Sequence, residues 1–100
     1  MKLPLNVDLN NKVAVVTGGT GVLGSFWADA LAECGAKVAI LGRNFSLAEK
    51  IASDIASNGR IAIGVEADVL DKESLKKAHE TVLEKLGPCD ILINGAGGNS

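Results

Sequence analysis

The sequence contains no tyrosine among its 100 residues. Any mechanism that needs a phenolic acid or base inside this chain is therefore excluded. Aromatic residues of any kind amount to 3%, namely Phe26, Trp27 and Phe45. There is no excess of one charge either: 10 basic against 12 acidic side chains leave −2. That balance offers no footprint for nucleic acid or for an anionic membrane. No apolar run approaches the ~20 residues that span a bilayer. The stretch from Met1 to Lys12 lacks the run of ~7–15 apolar residues of a signal peptide, so a cytoplasmic location is expected. Cys34 and Cys89 form no CxxC pair and suit small buried or half-buried hydrophobes better than a disulfide scaffold or a zinc site. His79, the one histidine, has no second ligand in view, and no metal site is expected.

What is present is a hydrophobic fraction of 47%, too high for disorder and sufficient for one small core. Short apolar runs at Val13–Val16, Val38–Leu41, Ile61–Val65 and Ile91–Ile93 alternate with longer amphipathic stretches. Most of these runs are continuous, as in strands of a parallel sheet buried on both faces. The first amphipathic stretch, from about Val22 to Cys34, places Leu23, Phe26, Trp27, Ala30, Leu31 and Cys34 on one helical face, with Gly35 as its stop. The second opens on Ser46-Leu47-Ala48-Glu49, which reads as a capping box, lines up Leu47, Ile51 and Ile55, and ends at Asn58-Gly59. The third, from about Lys72 to Leu86, has Asp71 as its N-cap and Gly87-Pro88 as its stop. The order βαβαβαβ predicts an α/β fold with a parallel Rossmann-type sheet, strand order 3-2-1-4, and right-handed crossovers.

The segment Thr17-Gly18-Gly19-Thr20-Gly21-Val22-Leu23-Gly24 follows the first strand and opens the first helix. Gly19, Gly21 and Gly24 satisfy GxGxxG in the strand–loop–helix context that gives this motif its meaning. Glycines allow the sharp turn and let a pyrophosphate reach the backbone, while the helix N-terminus supplies free amides and the positive end of its dipole. An acid about 20 residues further on would receive the ribose hydroxyls of NAD. Here the second strand ends instead in Gly42-Arg43-Asn44. Gly42 leaves room and Arg43 suits a 2′-phosphate, which favours NADP(H); the plainer reading of Arg43 is a solvated loop cation. Asp68, after the third strand, either accepts from an adenine amino group with Val69 beside the ring, or is an ordinary loop acid. A second glycine-rich turn, Asn94-Gly95-Ala96-Gly97-Gly98-Asn99, closes the fourth strand, next to the first in the expected order.

With these residues the chain resembles the short-chain dehydrogenase/reductase family over essentially its whole length. Lys12–Gly18 is similar to the family's first strand, Thr17–Gly24 to its cofactor loop, Asp68-Val69 to its adenine pair, and Asn94–Gly97 to its Asn-Asn-Ala-Gly turn. Two departures stand out: Val22 takes the place of the loop's middle glycine, and Gly95 replaces the second Asn. The glycine spacing matches the TGxxGxxG form of extended members. The loop and the final turn together resemble the family's sugar-acid branch, with substrates such as mannonate or fructuronate. The resemblance implies that Gly18, Thr20, Gly21, Val22 and Leu23 line the phosphates, that Arg43 and Asn44 lie near the adenosine ribose, and that Asp68 and Val69 hold adenine. It also implies that Asn94, Ala96 and Gly97 run along the cofactor's middle and that Thr17 ties the first and fourth strands.

The family's chemistry needs a tyrosine acid/base, a lysine four residues after it, and a serine on the substrate carbonyl. No catalytic residue can be carried over. Residues 1–100 are therefore expected to be the N-terminal part of a dinucleotide-binding domain in an NAD(P)-dependent oxidoreductase, with a small-molecule substrate and a homo-oligomeric state belonging to the longer polypeptide. A non-catalytic dinucleotide-binding regulator and an extended-type nucleotide-sugar epimerase or dehydratase are the competing readings. The last strand would be a bare edge. Two helices would cover one sheet face and one the other, leaving about half of that second face exposed and the chain unstable or self-associating alone.

Overall fold

A computed structural model describes residues 8–95. The elements follow as β1 (Val13–Thr17), α1 (Val22–Glu33), β2 (Lys37–Gly42), α2 (Phe45–Ala56), β3 (Ile61–Glu66), α3 (Lys72–Lys85) and β4 (Ile91–Asn94). The strands are all parallel, in the order β3-β2-β1-β4 expected for the Rossmann-type sheet. β1 and β2 take the centre, where Val13–Val16 and Val38–Leu41 are buried throughout, as continuous apolar runs require. Among the described residues β4 pairs only with β1, and its side chains alternate between half-buried and exposed.

Side-chain alternation along the strands builds two cores. On one face Ala14, Val16, Val38 and Ile40 pack with Ala28 and Leu31 of α1 and with Ala48, Ala52 and Ile55 of α2. On the other, Val13, Val15, Ala39, Leu41 and Val65 pack with Ala78 and Val82 of α3. Leu86 and Cys89, from the chain leaving α3, fill in beside that helix. At the two edges of this face Ile61 and Leu92 stay open, 53% and 66% exposed.

Two helices sit differently from their expected faces. In α1 the buried residues are Gly24, Ala28, Ala30, Leu31 and Ala32, whereas Leu23 and Phe26 are 59% and 40% exposed. The helix has rolled so that its smallest side chains meet the sheet, which lets it approach closely. Phe26 and Trp27 instead pack edge to face, with ring centroids 6.0 Å apart. α1 ends as expected at Gly35, in a Schellman turn: the Ala36 amide donates to the Leu31 carbonyl at 3.1 Å and the Gly35 amide to Ala32 at 2.9 Å.

In α2 the cap is Asn44, not Ser46. Asn44 is extended, and its Oδ1 accepts from the Leu47 amide at 3.1 Å. Ser46 and Glu49 thus lie inside the helix. Its buried face is Ala48, Ala52 and Ile55, with Leu47 exposed. Gly64 of β3 lies under this face: a Cβ there would come within 2.6 Å of the Ala48 carbonyl carbon, so backbone meets backbone and the helix sits close to the strand. α3 is capped as expected by Asp71, which accepts from the Glu73 amide at 3.0 Å. Among the described residues no helix is long and apolar enough to cross a membrane.

Candidate functional site

The loop between β1 and α1 uses its glycines for different reasons. Gly18 has φ +66°, a conformation that glycine alone adopts cheaply. Gly19 lies under β2: its amide donates to the Leu41 carbonyl at 3.2 Å, and a Cβ would stand 2.6 Å from Ile40 Cγ2. Gly24 sets the first turn of α1 against the loop, because a Cβ would collide with the Gly18 carbonyl and come within 2.8 Å of the Gly19 Cα. These three are demanded by the fold. Gly21 is not. Its φ is −81°, and the nearest atom to a Cβ would be the Gly18 carbonyl oxygen at 3.5 Å, an ordinary contact. It is the N-cap of α1, no side chain caps this helix, and its first turn holds no acid. The missing Cβ leaves a cradle open over the first-turn amides, where the helix dipole favours an anion. That arrangement fits the pyrophosphate of a dinucleotide.

A cleft of about 490 Å³ opens beside this cradle at the carboxyl edge of the sheet. Gly18, Thr20 and Gly21 form one wall; Leu41, Gly42 and Arg43 come from the end of β2; Ala67 to Leu70 follow β3; Gly95 follows β4. The strand order puts this crevice where open parallel sheets take ligands. Of the residues singled out from sequence, Gly18, Thr20, Gly21, Arg43, Asp68 and Val69 share the cleft. Val22 and Leu23 begin α1 outside its lining, with exposed side chains. Asn44 commits its Oδ1 to the α2 cap. Asn94 Oδ1 accepts from the Thr17 hydroxyl at 3.1 Å, and the Ile93 carbonyl lies 3.4 Å from the same hydroxyl, so Thr17 does tie β1 to β4. Ala96 and Gly97 fall outside the described residues.

The sequence reading missed Leu41, Ala67, Leu70 and Gly95 as lining residues. Leu41 and Ala67 carry only a core signal, while Leu70, 88% exposed directly after Asp68-Val69, was readable as an apolar residue in a turn that has no need of one.

Charge in the cleft is sparse. Arg43 is exposed and has no ion pair among the described residues. Asp68 Oδ1 accepts from the Leu70 amide at 3.0 Å, and the Asp68 amide donates to Ser74 Oγ at 2.8 Å. This carboxylate therefore braces its own turn while it lines the cleft. The room expected at Gly42 is taken: a Cβ on Gly42 would stand 2.8 Å from Thr20 Cγ2.

Comparison with known proteins agrees with this architecture. The chain is 48% identical over 97 residues to the uncharacterized oxidoreductase UxuB of Bacillus subtilis, covering 97% of this chain and 35% of that protein. It is 38% identical over 94 residues to the 3-oxoacyl-[acyl-carrier-protein] reductase FabG of Aquifex aeolicus, covering 93% of this chain and 38% of that one. A Haemophilus influenza structure with bound NAD, provisionally named a D-mannonate oxidoreductase, superposes with a TM-score of 0.89 at 43% identity, over 95% of this chain and 34% of its own. The chain thus spans little more than a third of the length of these relatives. The family model for short chain dehydrogenases matches residues 12–100. By that match, and by the glycine loop opening onto the cleft, the chain belongs to the short-chain dehydrogenase family.

Proposed function

We propose that residues 1–100 form the N-terminal, cofactor-binding part of an NAD(P)-dependent oxidoreductase that moves a hydride between nicotinamide and a hydroxyl/carbonyl carbon. The observation that carries this reading is Gly21, whose missing Cβ serves no internal contact and opens the α1 N-terminus to the cleft. In this reading Gly18, Thr20, Gly21 and the amides of Val22 and Leu23 take the pyrophosphate. Arg43 and Asn44 lie near the adenosine ribose, and the Thr20 side chain reaches toward them over Gly42. Asp68 and Val69 hold adenine, and Asn94, Ala96 and Gly97 flank the middle of the cofactor. The bound nicotinamide supplies or accepts the hydride. This chain's residues bind and orient it, and with no tyrosine among them none supplies the family's phenolic acid/base.

Arg43 supports a preference for NADP(H), because a free guanidinium at this place suits a 2′-phosphate. The name of the Haemophilus relative supports a sugar acid such as mannonate or fructuronate as the substrate class. The same reading puts the protein in the cytoplasm, without nucleic-acid or membrane partners, and makes the longer polypeptide a homo-oligomer. Isothermal titration of the purified protein with NADH and NADPH tests it. Saturable binding of either at one site per chain is expected, and no binding of either overturns it.

A further inference from the structure

Gly42 is glycine for a reason that lies outside its own backbone. Its φ is not in the left-handed region, so β2 could carry any residue there. What crowds a side chain there is Thr20, across the cleft wall: Cγ2 at 2.8 Å and Oγ1 at 3.3 Å from the place a Cβ would occupy, so that Thr20 must shift to admit one. Gly42 is also the end of β2, the position from which an acid would reach the ribose hydroxyls of NAD. The side chain at this end of the cleft is thus a threonine from the loop, whose hydroxyl has no hydrogen-bond partner among the described residues.

We infer that Thr20 and Gly42 act as one cofactor-selectivity element, resting on the dinucleotide reading above: Thr20 occupies the space that an acid at position 42 needs, and leaves a neutral hydroxyl where a carboxylate would stand. A carboxylate there would accept from a 2′-hydroxyl and repel a 2′-phosphate. A neutral hydroxyl tolerates both, and Arg43 next to it adds attraction for the phosphate. Selectivity for NADH therefore cannot be installed at position 42 alone. Thr20 is β-branched, so it cannot clear the space without leaving its rotamer and pushing the methyl or hydroxyl elsewhere in the cleft wall.

The test is a set of variants titrated with NADH and NADPH: Gly42→Asp, Thr20→Ala and the T20A/G42D double, with G42A and T20A/G42A asking the steric question without a charge. Unfolding midpoints are recorded alongside, so that loss of binding is separated from loss of fold. Gly42→Asp alone is expected to weaken both dinucleotides by about tenfold, and T20A/G42D to restore NADH while holding NADPH about 100-fold weaker. G42A is expected to weaken both and T20A/G42A to recover both. If Gly42→Asp with Thr20 intact already keeps NADH affinity and rejects NADPH, or if the two positions act additively, the inference is overturned. If the unmodified protein binds neither dinucleotide, the proposed function itself fails and this inference goes with it.

Discussion

Gly24 and Gly95 meet backbone to backbone: a Cβ on Gly95 would stand 2.9 Å from the Gly24 Cα, and also 2.9 Å from the Thr17 carbonyl oxygen. The first residue belongs to the cofactor loop and the second to the turn after β4, so the two glycine-rich segments lock together at one point. The Gly95 amide adds a 2.8 Å hydrogen bond to the Thr17 carbonyl. At Gly95, where the resemblance sets the second Asn of the family's turn, a Cβ would require one of these backbone segments to shift.

That contact separates two kinds of glycine. Gly95→Ala and Gly24→Ala should each destabilise the protein by about 1–3 kcal/mol, because backbone atoms must move to admit the methyl. Gly21→Ala should change stability by less than about 1 kcal/mol, since its methyl meets only an ordinary contact. Gly21→Ala should nevertheless weaken dinucleotide binding. Urea unfolding and calorimetric titration on the three variants check this; equal destabilisation by all three would remove the special status of Gly21.

Arg43→Ala should weaken NADPH by about tenfold and NADH much less, because the guanidinium bonds a charge that only the former carries. Equal losses for both dinucleotides would refute a role at the 2′-phosphate and leave Arg43 as a solvated cation.

Asn44→Ala should cost about 1 kcal/mol of stability as a lost N-cap. Ser46→Ala, inside the helix, should stay within about 0.5 kcal/mol. Denaturant midpoints compare the two, and the opposite ranking would return the cap of α2 to Ser46.

Gly64→Ala should destabilise by about 1–3 kcal/mol, since its methyl would press on the Ala48–Glu49 backbone. The expected signature is faster amide exchange in α2 and β3 ahead of β1. Uniform exchange throughout would show that the contact is not local.

The strand order and the place of the cleft were legible because they follow from pattern: continuous apolar runs at Val13–Val16 and Val38–Leu41, and a glycine loop between strand and helix. The faces of α1 and α2 were not. Periodicity marks which residues are apolar, but Gly24 and Gly64 decide how near each helix comes to its neighbours. At that distance alanines displace Leu23, Phe26 and Leu47 from the interface. The α2 cap was misplaced for a related reason, since Ser46 and Asn44 carry equivalent signals and only the backbone turn at the end of β2 chooses between them. Thr20 above Gly42 was invisible because it depends on two residues distant in sequence and adjacent in space.

Trp27 is the single tryptophan, and no tyrosine competes with it as an emitter. It follows Gly21 by six residues, about 9 Å along the axis of α1, and leans on Phe26 rather than on the core. Residues 1–100 therefore carry one intrinsic fluorophore, within energy-transfer reach of a reduced nicotinamide dinucleotide when one binds at the loop. Occupancy of the cleft can be read as quenched tryptophan emission, without a label and without turnover.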